Sequence, residues 1–208
     1  MTTSDPVTLP AVQHILPPAW REAAVFGALW GAAEVTVGAF LHSVRVPMAS
    51  VLMAGVAVAL LVPSQMLVRR NWFPLRAALI CAGLRALAPS GVIWGPMFAI
   101  IMQGLVVSLM FILLRKASVA GPVAGGLAAL ASVGQGLFRQ IMLYGGDIWA
   151  LYVTMLNKGG VWLRLGEERG ITTLFLFFSA VALVGACAGF VGWNIGRRAL
   201  QRARVTSA

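Results

Sequence analysis

The sequence predicts an all-α integral membrane protein: a six-transmembrane-helix bundle with both termini in the cytoplasm, forming a single membrane domain over 1–208. Three observations predict it. Hydrophobic residues make up 60% of the chain, and the mean hydropathy is +0.88. Charged residues are 11%, against about a quarter in soluble domains. Long apolar runs alternate with clusters of Arg, Pro and Trp, the residues that mark the ends of bilayer-crossing helices. A net charge of +10 would suggest nucleic acid in a soluble chain. Here the basic residues face lipid headgroups, so the expected surroundings are a bilayer, with no nucleic-acid partner.

Residues 1–16 are polar to mixed and contain no apolar h-region, so no cleavable signal peptide is expected. Pro17, Pro18, Trp20 and Arg21 then form an interfacial approach to a helix. Proline suits a first helical turn, and Trp and Arg anchor at headgroup depth. Span 1, 23–42, reads AAVFGALWGAAEVTVGAFLH, and the reading is organised around it. Ala24, Ala28 and Ala32 recur every four residues and make a ridge without bulk, flattened further by Gly27 and Gly31. In lipid such a stripe admits close packing of another helix. Glu34 follows, a carboxylate that is expensive at that depth.

Span 2, 48–68, carries Pro63 as an expected kink and stops at Arg69 and Arg70. Span 3, 75–88, has only 14 residues and includes Arg76 and Arg85. It is either a tilted crossing extended by its flanks or a partly re-entrant helix. The turn Pro89-Ser90-Gly91 leads to span 4, 92–114, whose one strongly polar residue is Gln103. Span 5, 119–143, is small-residue-rich in its first half and carries Gln135, Arg139 and Gln140 in its second. Segment 144–170 is too polar to span. Trp149, Tyr152, Val153 and Leu156 fall at helical spacing, so it reads as an extracytoplasmic lid. Span 6, 171–196, ends at Arg197, Arg198, Arg202 and Arg204, a stop on an anionic membrane face.

With the N-terminus in the cytoplasm, inside segments hold ten Lys and Arg, and outside segments hold four. That asymmetry supports six spans. It also places Glu34, His42, Arg85, Trp94, Gln135 and Arg139 in the outer half, with Gln103 near the middle. A polar chamber opening outward follows, with Trp149, Tyr152 and Trp162 above it. Each residue also has a simpler reading. Arg85 and Arg139 can snorkel to headgroups. Glu34 can serve only as their structural counter-charge, and His42 can be a boundary residue. Gln103 can join two helices, and the aromatic residues can form an interfacial belt.

The chain lacks GxxxxGK[ST], HExxH, GxSxG and zinc-spaced Cys/His, so no ATP site, metal site or hydrolase triad is expected. Cys81 and Cys187 lie inside apolar runs, which argues against a disulfide framework.

Ala24, Ala28 and Ala32, with the run GALWGAAEVTVGAFLHSVRVP (27–47) and its W-G-x-x-E pattern, resemble the opening of substrate-capture (S) components of energy-coupling-factor (ECF) transporters. The resemblance implies a multi-pass protein of the bacterial cytoplasmic (inner) membrane. Such a subunit captures a small vitamin or related micronutrient and is not itself an enzyme or a cofactor carrier. It implies docking of the small-residue stripe on a transmembrane coupling subunit, with ATPase subunits, dedicated or shared, supplying the energy. The expected substrate-binding residues are Glu34, His42, Arg85, Trp94, Gln103, Gln135, Arg139, Trp149 and Tyr152. Two other classes remain open: a membrane assembly or scaffold protein, and a lipid-modifying membrane enzyme using Glu34 and His42 as acid and base.

Overall fold

The computed structural model describes residues 17–44, 48–87, 94–145 and 170–206. They form six helices and, among the described residues, no strand: α1 (Pro18–Ser43), α2 (Ala49–Val68), α3 (Phe73–Leu87), α4 (Trp94–Leu114), α5 (Ala117–Tyr144) and α6 (Gly170–Thr206). All but α3 are long and apolar enough to cross a bilayer, as in a multi-pass membrane protein. At 15 residues, α3 extends only about 22 Å, short of a hydrocarbon core of about 30 Å. The sixth crossing expected at 75–88 therefore does not meet the length of a full span. α6 continues past residue 196 to Thr206, so the tail arginines are helical. α2 runs through Pro63 as one continuous helix.

The hub is α2 rather than the first helix. It touches all five others, while α1, α3, α4, α5 and α6 follow one another around it, with α6 and α1 not in contact. The reason is composition. Val51, Met53, Ala54, Ala57, Val58, Leu61 and Val62 are all buried, so α2 buries an apolar face about half its circumference wide. α1 sends one large side chain into the core, the fully buried Trp30.

Close contacts fix the helix directions. Gly27 abuts Ala77 and Ile80, and Gly31 abuts Cys81 and Leu84, so α1 and α3 run parallel. Gly104 meets Ala78, while the Leu75 amide donates to Ser108 Oγ at 3.1 Å, so α3 and α4 are antiparallel. Gly121 lies on Gly189 and Gly125 on Gly185, making α5 and α6 antiparallel. Gly55 faces Ala188 and Gly196 faces Pro63 and Met66, making α2 and α6 parallel. Odd and even helices thus point in opposite directions.

That alternation gathers charge at one end. Arg21, Arg69, Arg70, Arg76, Arg115, Lys116 and the four α6 arginines all sit at the end that holds the start of α1 and the finish of α6. Arg76 stands over Trp20 at 6.0 Å and Arg197 over Trp193 at 5.8 Å. Arg70 Nε approaches Glu22 Oε2 at 3.3 Å, but that oxygen receives no aligned hydrogen bond. Such a surface pair contributes little.

Candidate functional site

The opposite half of the bundle carries two polar clusters, on either flank of α3. The first joins α1 and α3. Trp30 and Glu34 are four residues apart, so both lie on one helix face. The Trp30 indole N–H donates to Glu34 Oε1 at 3.2 Å. Gly31, between them, has no side chain, and α3 packs there. A methyl group on Gly31 would stand 3.2 Å from Leu84 Cδ1. The parallel register then brings Glu34 level with Arg85, close enough for the two charges and the buried Cys81 thiol to interact electrostatically. Arg85 Nε is buried and has no hydrogen-bond partner. The W-G-x-x-E pattern thus acquires a physical meaning: Trp orients Glu, and Gly admits the helix carrying Arg85.

The second cluster joins α4 and α5. Gln103 Nε2 donates to Ser132 Oγ at 3.2 Å, and Ser132 Oγ donates to the Ala128 carbonyl at 2.9 Å. Gln103 Oε1 is buried and unpartnered. One end-turn outward, Gln135 Nε2 donates to the Gly95 carbonyl at 2.7 Å, and the exposed Arg139 lies over Gly95. Gly95 belongs to the first turn of α4, and Arg139 covers its bare backbone.

Of the residues expected at a binding site, the structure brings Glu34 level with Arg85, in electrostatic range but without an ion-pair contact, and brings Gln135 and Arg139 together at Gly95. Gln103 lies deeper, committed on one side to Ser132. α1 touches neither α4 nor α5, so α3 stands between the clusters. Trp149, Tyr152 and Trp162, with the lid they were assigned to, lie outside the described residues. His42 and Trp94 belong to α1 and α4, but their side chains also lie outside what is described. On the expected docking stripe, Ala28 and Ala32 are exposed and Ala24 is half-buried, while Gly27 and Gly31 are turned toward α3.

Sequence reasoning passed over Trp30, Ser132 and Gly95 as parts of these clusters. The four-residue spacing of Trp30 and Glu34 was a usable signal; the Gly95 and Ser132 contacts cross between helices and left none. Among the described residues, no three His, Cys, Asp or Glu stand together as metal ligands. One groove among the described residues lies elsewhere, between α5 and α6, and is almost wholly apolar. No protein family matches the chain, and neither does any curated protein or solved structure.

The Gln103–Ser132 bond makes a prediction of its own. Ser132→Ala leaves the Gln103 amide without its acceptor inside an apolar bundle. It should lower unfolding stability by about 1 kcal/mol, the scale measured for such bonds in membranes. Thermal unfolding in detergent measures this; an unchanged midpoint would show that the bond adds nothing.

Proposed function

We propose that the chain is a membrane-embedded solute-capture subunit of the ECF S-component type, taking a small polar or anionic nutrient from outside the bacterial cytoplasmic membrane. One observation carries the reading: Glu34, Arg85, Gln135 and Arg139 share one level of the bundle, and the boundary arginines crowd the other end. In this reading α3 completes a sixth, shortened crossing, and both termini are cytoplasmic. Arg85, with its unsatisfied Nε, and Arg139 supply charge-assisted hydrogen bonds to an anionic group. Glu34 accepts from donors on the same ligand, which reaches both clusters by crossing the outer end of α3. Energy comes from separate ATPase subunits through a coupling subunit docked on Ala24, Ala28 and Ala32.

Native mass spectrometry of the protein isolated from its host should show a retained small molecule. Arg139→Ala and Glu34→Gln should each weaken its retention at least tenfold. Ala28→Trp should stop uptake while leaving retention intact. Unchanged retention in both site variants removes these residues from the site, and unimpaired uptake by Ala28→Trp removes the docking face.

A scaffold reading has its own support, because Gln103–Ser132 and Gln135–Gly95 are bonds between helices, which a structural bundle needs without any ligand. A scaffold would come through native isolation with no small molecule and would be indifferent to Arg139→Ala.

A further inference from the structure

The groove between α5 and α6 is lined by Pro122, Gly126, Leu130, Ala182, Leu183 and Ala186, among others, and has a volume of about 490 Å³. Its walls are helix surfaces that face away from the hub, with Leu127 and Leu183 well exposed beside it. Small residues create it: Gly126 and Ala182 leave a trough where larger side chains would fill the crossing.

What distinguishes this trough from other lipid-facing surface is its mouth. Along α6 the groove residues 179, 183 and 186 continue through 190, 193 and 197 at alternating steps of four and three, which keeps them on one face. Phe190 and Trp193 meet there in a tilted contact, with ring centroids 5.4 Å apart and planes 41° from parallel. The Arg197 guanidinium carbon then stands 5.8 Å from the Trp193 ring centroid. Lys116, at the start of α5, lies within about one helical turn of the level of Arg197, because Gly121 packs against Gly189 and Trp193 in the antiparallel pair. The apolar trough therefore leads past two aromatic rings to two cations.

The depth also fits. Leu130 is 14 residues from Lys116, about 21 Å along a helix. One leaflet with its interfacial layer is about 20–22 Å thick. Ser179, on the α6 wall of the groove, is 18 residues from Arg197, about 27 Å, so the groove is long enough to take a full lipid tail from the basic end.

We propose that the α5–α6 seam is a binding site for one anionic phospholipid, with its phosphate on Arg197 and Lys116 and an acyl chain in the groove. The aromatic pair packs on the glycerol region, and Arg197, held by its contact with Trp193, needs little further ordering to meet the phosphate. The site is independent of the solute-capture reading and requires only that the bundle sits in a membrane.

The test uses the full chain in nanodiscs of equal phosphatidylglycerol and phosphatidylcholine, released into native mass spectrometry. The unmodified chain should retain phosphatidylglycerol over phosphatidylcholine by roughly tenfold, given two basic contacts at the surface. Arg197→Gln with Lys116→Gln, both exposed positions, should bring the ratio close to one. Leu183→Trp, which fills the trough, should lower retention of both lipids, with elution and thermal midpoint unchanged. Equal retention by the unmodified chain overturns the proposal. So does a ratio unmoved by the double charge variant, or a protein dimer whose formation Leu183→Trp prevents, which would make the groove a contact between copies.

Discussion

Gly185→Leu is expected to abolish the folded bundle. A side chain at Gly185 would be driven into the Gly125 carbonyl of α5, and one at Gly125 into the Gly185 carbonyl, so neither helix has room for a Cβ at this crossing. Gly121 and Gly189 repeat the arrangement one turn along. Overpacking costs about 1–3 kcal/mol where side chains can shift. Here the obstacle is helical backbone, and α5 and α6 must separate along the most extensive helix pair in the molecule. The loss should exceed that range. Gly136→Ala is the control: nothing approaches that position, and alanine favours helix over glycine by about 1 kcal/mol. Monodisperse elution and thermal unfolding in detergent distinguish the two variants. A Gly185→Leu protein that elutes and melts like the parent would refute the close crossing.

Arg85→Met should destabilise the bundle by about 2 kcal/mol, because the Glu34 carboxylate loses the opposing charge within its electrostatic range among apolar helices. Glu34→Gln in the Arg85→Met background should recover most of that loss. The recovery is the diagnostic result, since deleting each member of an interacting pair is not additive. Trp30→Phe should act in the same direction as loss of Arg85 but more weakly, removing one hydrogen bond to the carboxylate while keeping an aromatic ring in the core. If Arg85→Met proves neutral, Arg85 reaches the headgroups on its own and Glu34 has a different partner.

Glu34 and Arg85 also show how much of the site was legible in the chain. Each stood out singly, because a charged residue inside an apolar run carries a cost visible without coordinates. Their pairing was legible only as a shared depth. Depth follows from the alternation of spans and the placement of arginines, but lateral position does not. Gln103 illustrates the gap. Its depth near the middle of span 4 was readable, while its bond to Ser132 depends on the rotation of α4 against α5. The small-residue stripe was split in the same way: Ala28 and Ala32 face outward, and Gly27 and Gly31 face α3. Residues adjacent in sequence belong to different faces, and composition alone does not say which face meets a neighbour.

The sequence by itself determined the helical, membrane-type construction of this protein, the extent of most of its helices and the end at which its arginines collect. Hydropathy and charge act residue by residue, and backbone hydrogen bonds must be satisfied within each crossing segment, so these properties need no knowledge of neighbours. Only the tertiary structure decided that α2 is the hub, that α5 and α6 meet glycine to glycine, and that α3 separates two polar clusters. Those features depend on which helix faces touch, and inside lipid that choice is made by close packing between small surfaces, because hydrophobicity no longer distinguishes one apolar face from another.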